Sequence, residues 1–433
     1  ASLYGLASIL SRSVTLFTLP LLARHFTVEQ YGLFDLFYIS VSLLITFFIF
    51  GQDSAIFRYF HDEVDDEGRK RIITQTIVLQ LILSIIVIGA FFLLKNNFNW
   101  YLELSEEIKT FLLIILMILP FGILYTISET ILRLTSNLKR YMLLTVSFMF
   151  TTLLLVIYGT QVIDANFTQI IKLYFCLWCF FGIFGLVLIR KWLVVPTRLH
   201  INNKMLFYGV PMGIIVLIET SQPLLERLII NNIISLEALG LYAVAAKIAT
   251  ILLLPIGAFQ MAFMPLVMKT FRDDNSIELF NLALIIYSTF LTLFILVMCA
   301  LSEHLIIFLA GRAYLGGAYI VFPLSLAIYF QAIGTVLGLG NVISNKTYFR
   351  LAIHIISQVV ACILMVQLSG KLNILGIAIA VAVGKGLVLI LDSAVGQRLY
   401  PLAWNYFVVL VMVAIATTCG TYLSFQGIRS KLE

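Results

Sequence analysis

ASLYGLASILSRSVTLFTLPLLARHF, residues 1–26, is an apolar stretch of bilayer length with a cation, Arg12, at its middle. About 20 such residues suffice to cross a hydrocarbon core as a helix. An ionised side chain at that depth costs at least ~2.5–3.5 kcal/mol unless it meets a partner or water. The stretch therefore predicts a membrane span that turns a polar side inward, and Ser8, Ser11, Ser13 and Thr15 around Arg12 continue that side. Comparable stretches follow to the end of the chain. Spans are expected at 3–24, 33–56, 72–94, 108–134, 141–159, 168–189, 206–232, 239–268, 278–301, 318–343, 350–369, 374–397 and 404–424. The fold class read from this is an all-α polytopic membrane protein.

Composition agrees. Of 433 residues 61% are hydrophobic and 12% charged, against about 25% charged in soluble domains. The longest strongly polar gap, HDEVDDEGRKR at 61–71, is a loop, and no room is left for a soluble domain. The net charge of +6 sits mostly in short connections, where membrane topology explains it better than nucleic acid does. The even-numbered connections hold 16 Lys and Arg and the odd-numbered ones 7. The positive-inside rule then places the even connections and the N-terminus in the cytoplasm. A thirteenth span leaves the basic tail QGIRSKLE outside, so a trimmed fourteenth span is expected, giving one or two helices beyond twelve. No signal peptide is visible.

The chain also reads as doubled. Tyr4-Gly5, Pro20-Leu-Leu-Ala-Arg24 and Tyr31-Gly32-Leu33-Phe34 are echoed by Tyr208-Gly209, Pro223-Leu-Leu-Glu-Arg227 and Leu239-Gly240-Leu241-Tyr242. The expectation is an N-terminal lobe of six spans at 1–190, a cytoplasmic linker at 191–205, a C-terminal lobe of six spans at 206–400, and an additional helix and tail at 401–433. Parallel repeats of this kind place a substrate site between the lobes, in a central cavity.

Intramembrane charges are the candidate site residues. Arg12 is read as a contact for an anionic substrate, with a structural ion pair as the alternative. Arg24 and Arg227 lie near span ends, where snorkelling is cheap. Lys247, in AVAAKIAT, and Lys385, in VAVGKGLV, sit among small residues that permit close helix approach or leave room for a cavity. Lys385 stands seven residues before Asp392 on one helical face, so a bridged pair competes with a cavity role. Glu219, between Pro211 and Pro223, is a candidate for ion coupling because desolvation disfavours its charged form; a salt bridge to Arg12 or Lys247 is the alternative. Asp53 with Arg58, and Glu129 with Arg133, are read as a cytoplasmic gate or entry site, or as an interfacial ion-pair network. Cys176 and Cys179 form a CxxC inside a span, with packing the expected role. No P-loop, HExxH, GxSxG or metal-ligand cluster occurs, so neither enzyme chemistry nor a cofactor is expected, and the coupling ion would be H+ or Na+.

With SRSVTLFTLPLLARHFTVEQYGLFDL followed by GQDSAIFRYF, the chain resembles the Wzx-type polysaccharide flippases of the MOP superfamily, as does ERLIINNIISLEALGLYAVAAKIA at 226–249. The resemblance implies two six-helix lobes around a cationic cavity, with Arg12 and Lys247 and then Arg24, Arg58 and Lys385 as its cations. It implies a short glycan on undecaprenyl pyrophosphate as cargo, moved by alternating access across the bacterial inner membrane. Membrane lipids and polysaccharide polymerase machinery are the expected partners. The alternatives are a multidrug or other small-molecule exporter and a lipid II flippase; an enzyme acting on lipid-linked sugars would need a larger outer loop.

Overall fold

The structure, a computed structural model, describes residues 14, 16–63, 65–97, 106–194, 203–270, 276–344 and 347–429. Every regular element among them is helical, as a bilayer demands of a chain whose backbone polar groups must be satisfied internally. In order they are α1 (16–25), α2 (Val28–Ile49), α3 (Gln52–Asp62), α4 (Asp66–Leu94), α5 (Glu106–Leu134), α6 (Leu138–Ile157), α7 (Phe167–Ile189), α8 (Asn203–Ile233), α9 (Leu236–Ala249) and α10 (Leu253–Thr270). There follow α11 (Ser276–Ala300), α12 (Ser302–Leu309), α13 (Val321–Leu337), α14 (Leu339–Ile343), α15 (Thr347–Leu399) and α16 (Tyr406–Arg429).

Ten helical segments among the described residues are long and apolar enough to cross a membrane. One of them, Tyr348–Leu399, contains a non-helical residue, Asn373 (φ 51°, ψ −136°), and is thus two spans joined by a tight turn. Adding α8, a helix of 31 residues, twelve of the thirteen expected spans have a helix. The first expected span is helical at Val14 and over 16–25; residues 3–13, with Arg12, and Thr15 lie outside the described residues. The chain is a multi-pass membrane protein. Large apolar side chains such as Ile85, Leu93, Phe308, Ile390, Phe407 and Leu410 are exposed, as lipid-facing residues are.

Polar residues set several helix starts. Asp65, Asn137, Asn166 and Ser235 accept a backbone N–H of the first turns of α4, α6, α7 and α9, and Asn166 with Gln169 completes a capping box. The second expected span differs from its prediction. It was to run without interruption to residue 56, but the helix breaks at Phe50 (φ 44°) and Gly51 (φ 72°) and resumes as α3. Only glycine adopts such a φ without steric cost.

By contact the chain divides into two compact units. Among the described residues, one comprises 16–33 with 225–429 and the other Val14 with 34–224. In the second unit α5 and α7 approach closely: a Cβ at Gly182 would lie 2.6 Å from the Phe121 carbonyl oxygen, and one at Gly185 2.9 Å from Ser128. Tyr125, Phe148, Trp178 and Phe181 fill the space beside that crossing with tilted and edge-on rings. In the first unit α13 and α14 lie against α15, with Gly334 at Leu389 and Gly340 at the Gly396 carbonyl. There α16 packs on α11, where Asn281 donates to the Ala403 carbonyl and accepts from the Asn405 N–H.

Candidate functional site

Among the described residues the first unit holds two buried ionic groups. At the end of the Pro223-Leu-Leu-Glu-Arg227 block, Arg227 donates to Glu226 Oε2 at 2.7 Å, and the Tyr242 hydroxyl on α9 donates to the same oxygen at 3.0 Å. The guanidinium also lies 5.0 Å from the centre of the Tyr242 ring. Arg227 and Glu226 are 4% and 5% exposed, so the snorkelling expected of Arg227 does not occur. A carboxylate one residue before it supplies counter-charge within the protein, and the long side chain has no need to reach water.

The second group joins α14 and both arms of α15. Asp392 is 2% exposed and faces Arg350 Nε at 3.6 Å. Asn341 donates through Nδ2 to the Asp392 side chain at 3.1 Å and to its carbonyl at 3.0 Å. Gly338 permits this approach, because a Cβ there would stand 3.1 Å from Asp392 Oδ2. Asp392 was singled out from the sequence; Arg350 and Asn341 were not, since they stand 42 and 51 residues away, on the other arm of α15 and on α14.

The remaining candidates are placed as follows. Arg24 is exposed and donates to the Phe308 carbonyl at 2.7 Å, where α12 nears its end; a cation at the carbonyl end of a helix is electrostatically favoured. Lys247 is half-buried in the last turn of α9 among the buried Ala243, Ala245 and Ala249, and its carbonyl accepts from Thr250 at 2.6 Å. Lys385 is half-buried, and both glycines beside it are closely packed: a Cβ at Gly384 would lie 2.8 Å from the Ala361 methyl and one at Gly386 3.4 Å from the Phe330 ring. The small residues around Lys385 thus serve close helix packing.

In the second unit Glu219 is half-buried on α8. Glu129 on α5 is half-buried and accepts from the Tyr141 hydroxyl at 3.4 Å, while Arg133 is exposed. Asp53 is half-buried and Arg58 exposed, both on α3 and hence beyond the break rather than on the span itself. Asp35 and Gln80 are buried polar residues that the sequence reading did not single out. Asp35 is 1% exposed within α2, and the charge-within-a-span criterion that found Glu219 applies to it as well, since it lies inside the expected span 33–56. Gln80, also 1% exposed, donates from α4 to the Ile49 carbonyl at the break. Among the described residues no group of three or more His, Cys, Asp or Glu side chains is arranged to hold a metal ion.

Residues 1–271 match the family described as polysaccharide biosynthesis protein. The chain belongs to that family. A membrane protein of Haemophilus influenzae is 25% identical over 351 residues, covering 76% of this chain and 80% of that one. A product of the Lsg locus of the same organism is 24% identical over 327 residues, covering 73% and 77%. Among solved structures the fold is similar to the lipid II flippase MurJ in an inward closed conformation, with a TM-score of 0.72, 16% identity and full coverage of both chains. It is also similar to an inward-facing multidrug resistance MATE transporter of the MOP superfamily, with a TM-score of 0.68, 14% identity and coverage of 95% and 96%. The likeness to these two structures is one of fold.

Proposed function

We propose that the protein is a flippase that carries a short oligosaccharide linked to undecaprenyl pyrophosphate from the cytoplasmic to the outer leaflet of the bacterial inner membrane. The cargo would serve assembly of a surface polysaccharide such as an O-antigen, capsule or exopolysaccharide. The observation that carries this reading is the polysaccharide biosynthesis family match over residues 1–271 of a chain with a MOP-type fold. In this reading two six-span lobes move by alternating access around a cavity whose cations include Arg12 and Lys247, with Arg24, Arg58 and Lys385 as further contributors. A pyrophosphate needs several cations in a low-dielectric passage, while a lipid tail can remain in the bilayer. Glu219 would carry the coupled proton or meet Na+, and Asp392 would take part through its pairing with Arg350. The N-terminus would lie in the cytoplasm.

The test is mass spectrometry of lipid-linked glycans, resolved by leaflet, in cells depleted of the protein. Accumulation of one undecaprenyl-linked repeat unit on the cytoplasmic side is expected and identifies the cargo. Accumulation of lipid II instead would make the protein a lipid II flippase. Unchanged lipid-linked glycans with altered drug efflux would overturn the reading in favour of an exporter.

A further inference from the structure

The two faces of α6 do different work. Tyr141, Leu144, Thr145, Met149, Thr152 and Val156 are buried, and Phe148 beside them meets the rings of Tyr125 and Trp178. The other face holds a groove of about 530 Å³, within the range of about 300–1,000 Å³ usual for ligand sites. Its described lining is a single stripe of this helix at the i, i+3, i+4, i+7 spacing of one face, and includes Lys139, Met142, Leu143, Val146 and Phe150. Leu143 and Phe150 are 51% and 54% exposed. Ser147 also borders the groove, but its hydroxyl donates to the Leu143 carbonyl, so the stripe beyond Lys139 presents mainly apolar surface.

The groove has a charged end and an apolar one. From Lys139 to Thr151 it runs along twelve positions of the helix, or about 18 Å at roughly 1.5 Å per residue. One leaflet supplies half of a hydrocarbon core about 30 Å thick, so the stripe is about one leaflet deep. Cations collect at its charged end. Arg133 near the end of α5, Lys139 in the first turn of α6, and Arg190 and Lys191 after α7 are all exposed. Arg140 donates to the Leu188 carbonyl at 2.8 Å, which brings the end of α7 to the start of α6. Within 129–140 and 188–192 the one carboxylate is Glu129, half-buried and bonded by the Tyr141 hydroxyl at 3.4 Å. α4 also touches residues 190–192, but its Asp66 and Glu67 are matched by Arg69 at 3.1 Å and Arg71 at 2.6 Å. The mouth of the groove therefore keeps a positive excess.

We infer that the α6 groove is a binding site for an anionic phospholipid of the cytoplasmic leaflet, with the lipid phosphate at Lys139 and one acyl chain laid along Met142, Leu143, Val146 and Phe150. Arg133, Arg190 and Lys191 add to the field at the headgroup. Charge complementarity selects an anionic head, and a stripe one leaflet deep suits a single acyl chain better than a lipid that crosses the midplane. Basic residues at the cytoplasmic ends of membrane helices attract lipid phosphates, each contributing about fivefold in affinity, or about 1 kcal/mol. This end of the groove is cytoplasmic on the excess of Lys and Arg in the even-numbered connections. The site is independent of the cargo and of the cavity assigned to it.

The test is native mass spectrometry of the full chain released from detergent, titrated with phosphatidylglycerol and separately with phosphatidylethanolamine. Phosphatidylglycerol is expected to bind the more tightly. Lys139→Gln is expected to lower its affinity about fivefold and to leave phosphatidylethanolamine unmoved, whereas Val146→Trp, which fills the groove, lowers both. Arg71→Gln removes an exposed cation of α4 that does not line the groove, and it is expected to change neither. Equal binding of the two lipids would overturn the inference and leave an unselective lipid-facing surface. Equal losses in Lys139→Gln and Arg71→Gln would overturn it in favour of diffuse surface charge. Should Val146→Trp fail to fold, phosphatidylglycerol with a photoreactive acyl chain is crosslinked to the unaltered protein. Labelling concentrated between Met142 and Phe150 is expected, and labelling spread evenly over the exposed helices would overturn the inference. Displacement of that label by an equimolar amount of undecaprenyl pyrophosphate would also overturn it, by making the groove part of the cargo's path.

Discussion

Replacing Glu226 with alanine leaves the Arg227 guanidinium buried without the carboxylate it donates to at 2.7 Å, and deprives the Tyr242 hydroxyl of its acceptor at 3.0 Å. Breaking a buried pair from one side costs about 3–5 kcal/mol, and an orphaned buried hydroxyl adds about 1–3 kcal/mol. The Tyr242 ring, 5.0 Å from the guanidinium, keeps its cation–π contact in both proteins, so it cancels from the difference. The expected loss is at least about 4 kcal/mol. For a unit of about two hundred residues that lowers the thermal midpoint by at least about 8 °C. The assay is a thermal ramp at fixed scan rate on nanodisc-embedded protein, followed by tryptophan fluorescence. Arg227→Met alone is expected to cost a similar amount, because it strands the carboxylate instead. The double variant Glu226→Leu with Arg227→Met, which removes both charges, is expected to recover at least half of the loss. If each single variant cost less than about 0.5 kcal/mol, or if the double variant lost the sum of both, the group would not be a desolvated pair and the reasoning would fail.

Other expectations follow from the same physics. Asp392→Leu, which abandons Arg350 and Asn341, should destabilise by about 2–4 kcal/mol in the same thermal assay, and Asp392→Asn by clearly less, since an amide still bonds Asn341; equal losses would argue against the pairing. Arg24→Ala should cost at most about 1 kcal/mol, because its bond to the Phe308 carbonyl is exposed, and any loss of export well beyond the stability change would mark Arg24 as a substrate contact. Arg12→Ala and Lys247→Ala should each abolish glycan export with the protein still in the membrane, and normal export in both would remove the cavity assignment. Glu219→Gln should slow export and flatten its dependence on pH; an unaltered profile would return Glu219 to a structural role.

The span layout was legible because apolar length is a property of consecutive residues, and lipid enforces it locally. The helix break was not, because Phe50-Gly51 sits between an apolar run and an amphipathic continuation that reads equally well as the end of the same helix. What makes the break stable is Gln80, nearly thirty positions further on. The two PLLxR blocks show how the same local sequence reaches opposite outcomes. In the first block the residue before the arginine is Ala23, which offers no charge, and Arg24 reaches a helix-end carbonyl at the protein surface. In the second it is Glu226, and Arg227 turns inward to share that carboxylate with Tyr242. One substitution at equivalent positions, alanine for glutamate, thus decides whether a cation stays at the surface or is buried. That signal lay in the sequence, and weighing the neighbour rather than the motif would have found it. The Asp392 group had no such signal, because its partners are brought in by tertiary packing at Gly338. For the transport reading the same rule applies: a charge already met by its neighbour is spoken for. Glu226 and Arg227 neutralise each other, so neither is offered as a contact for cargo.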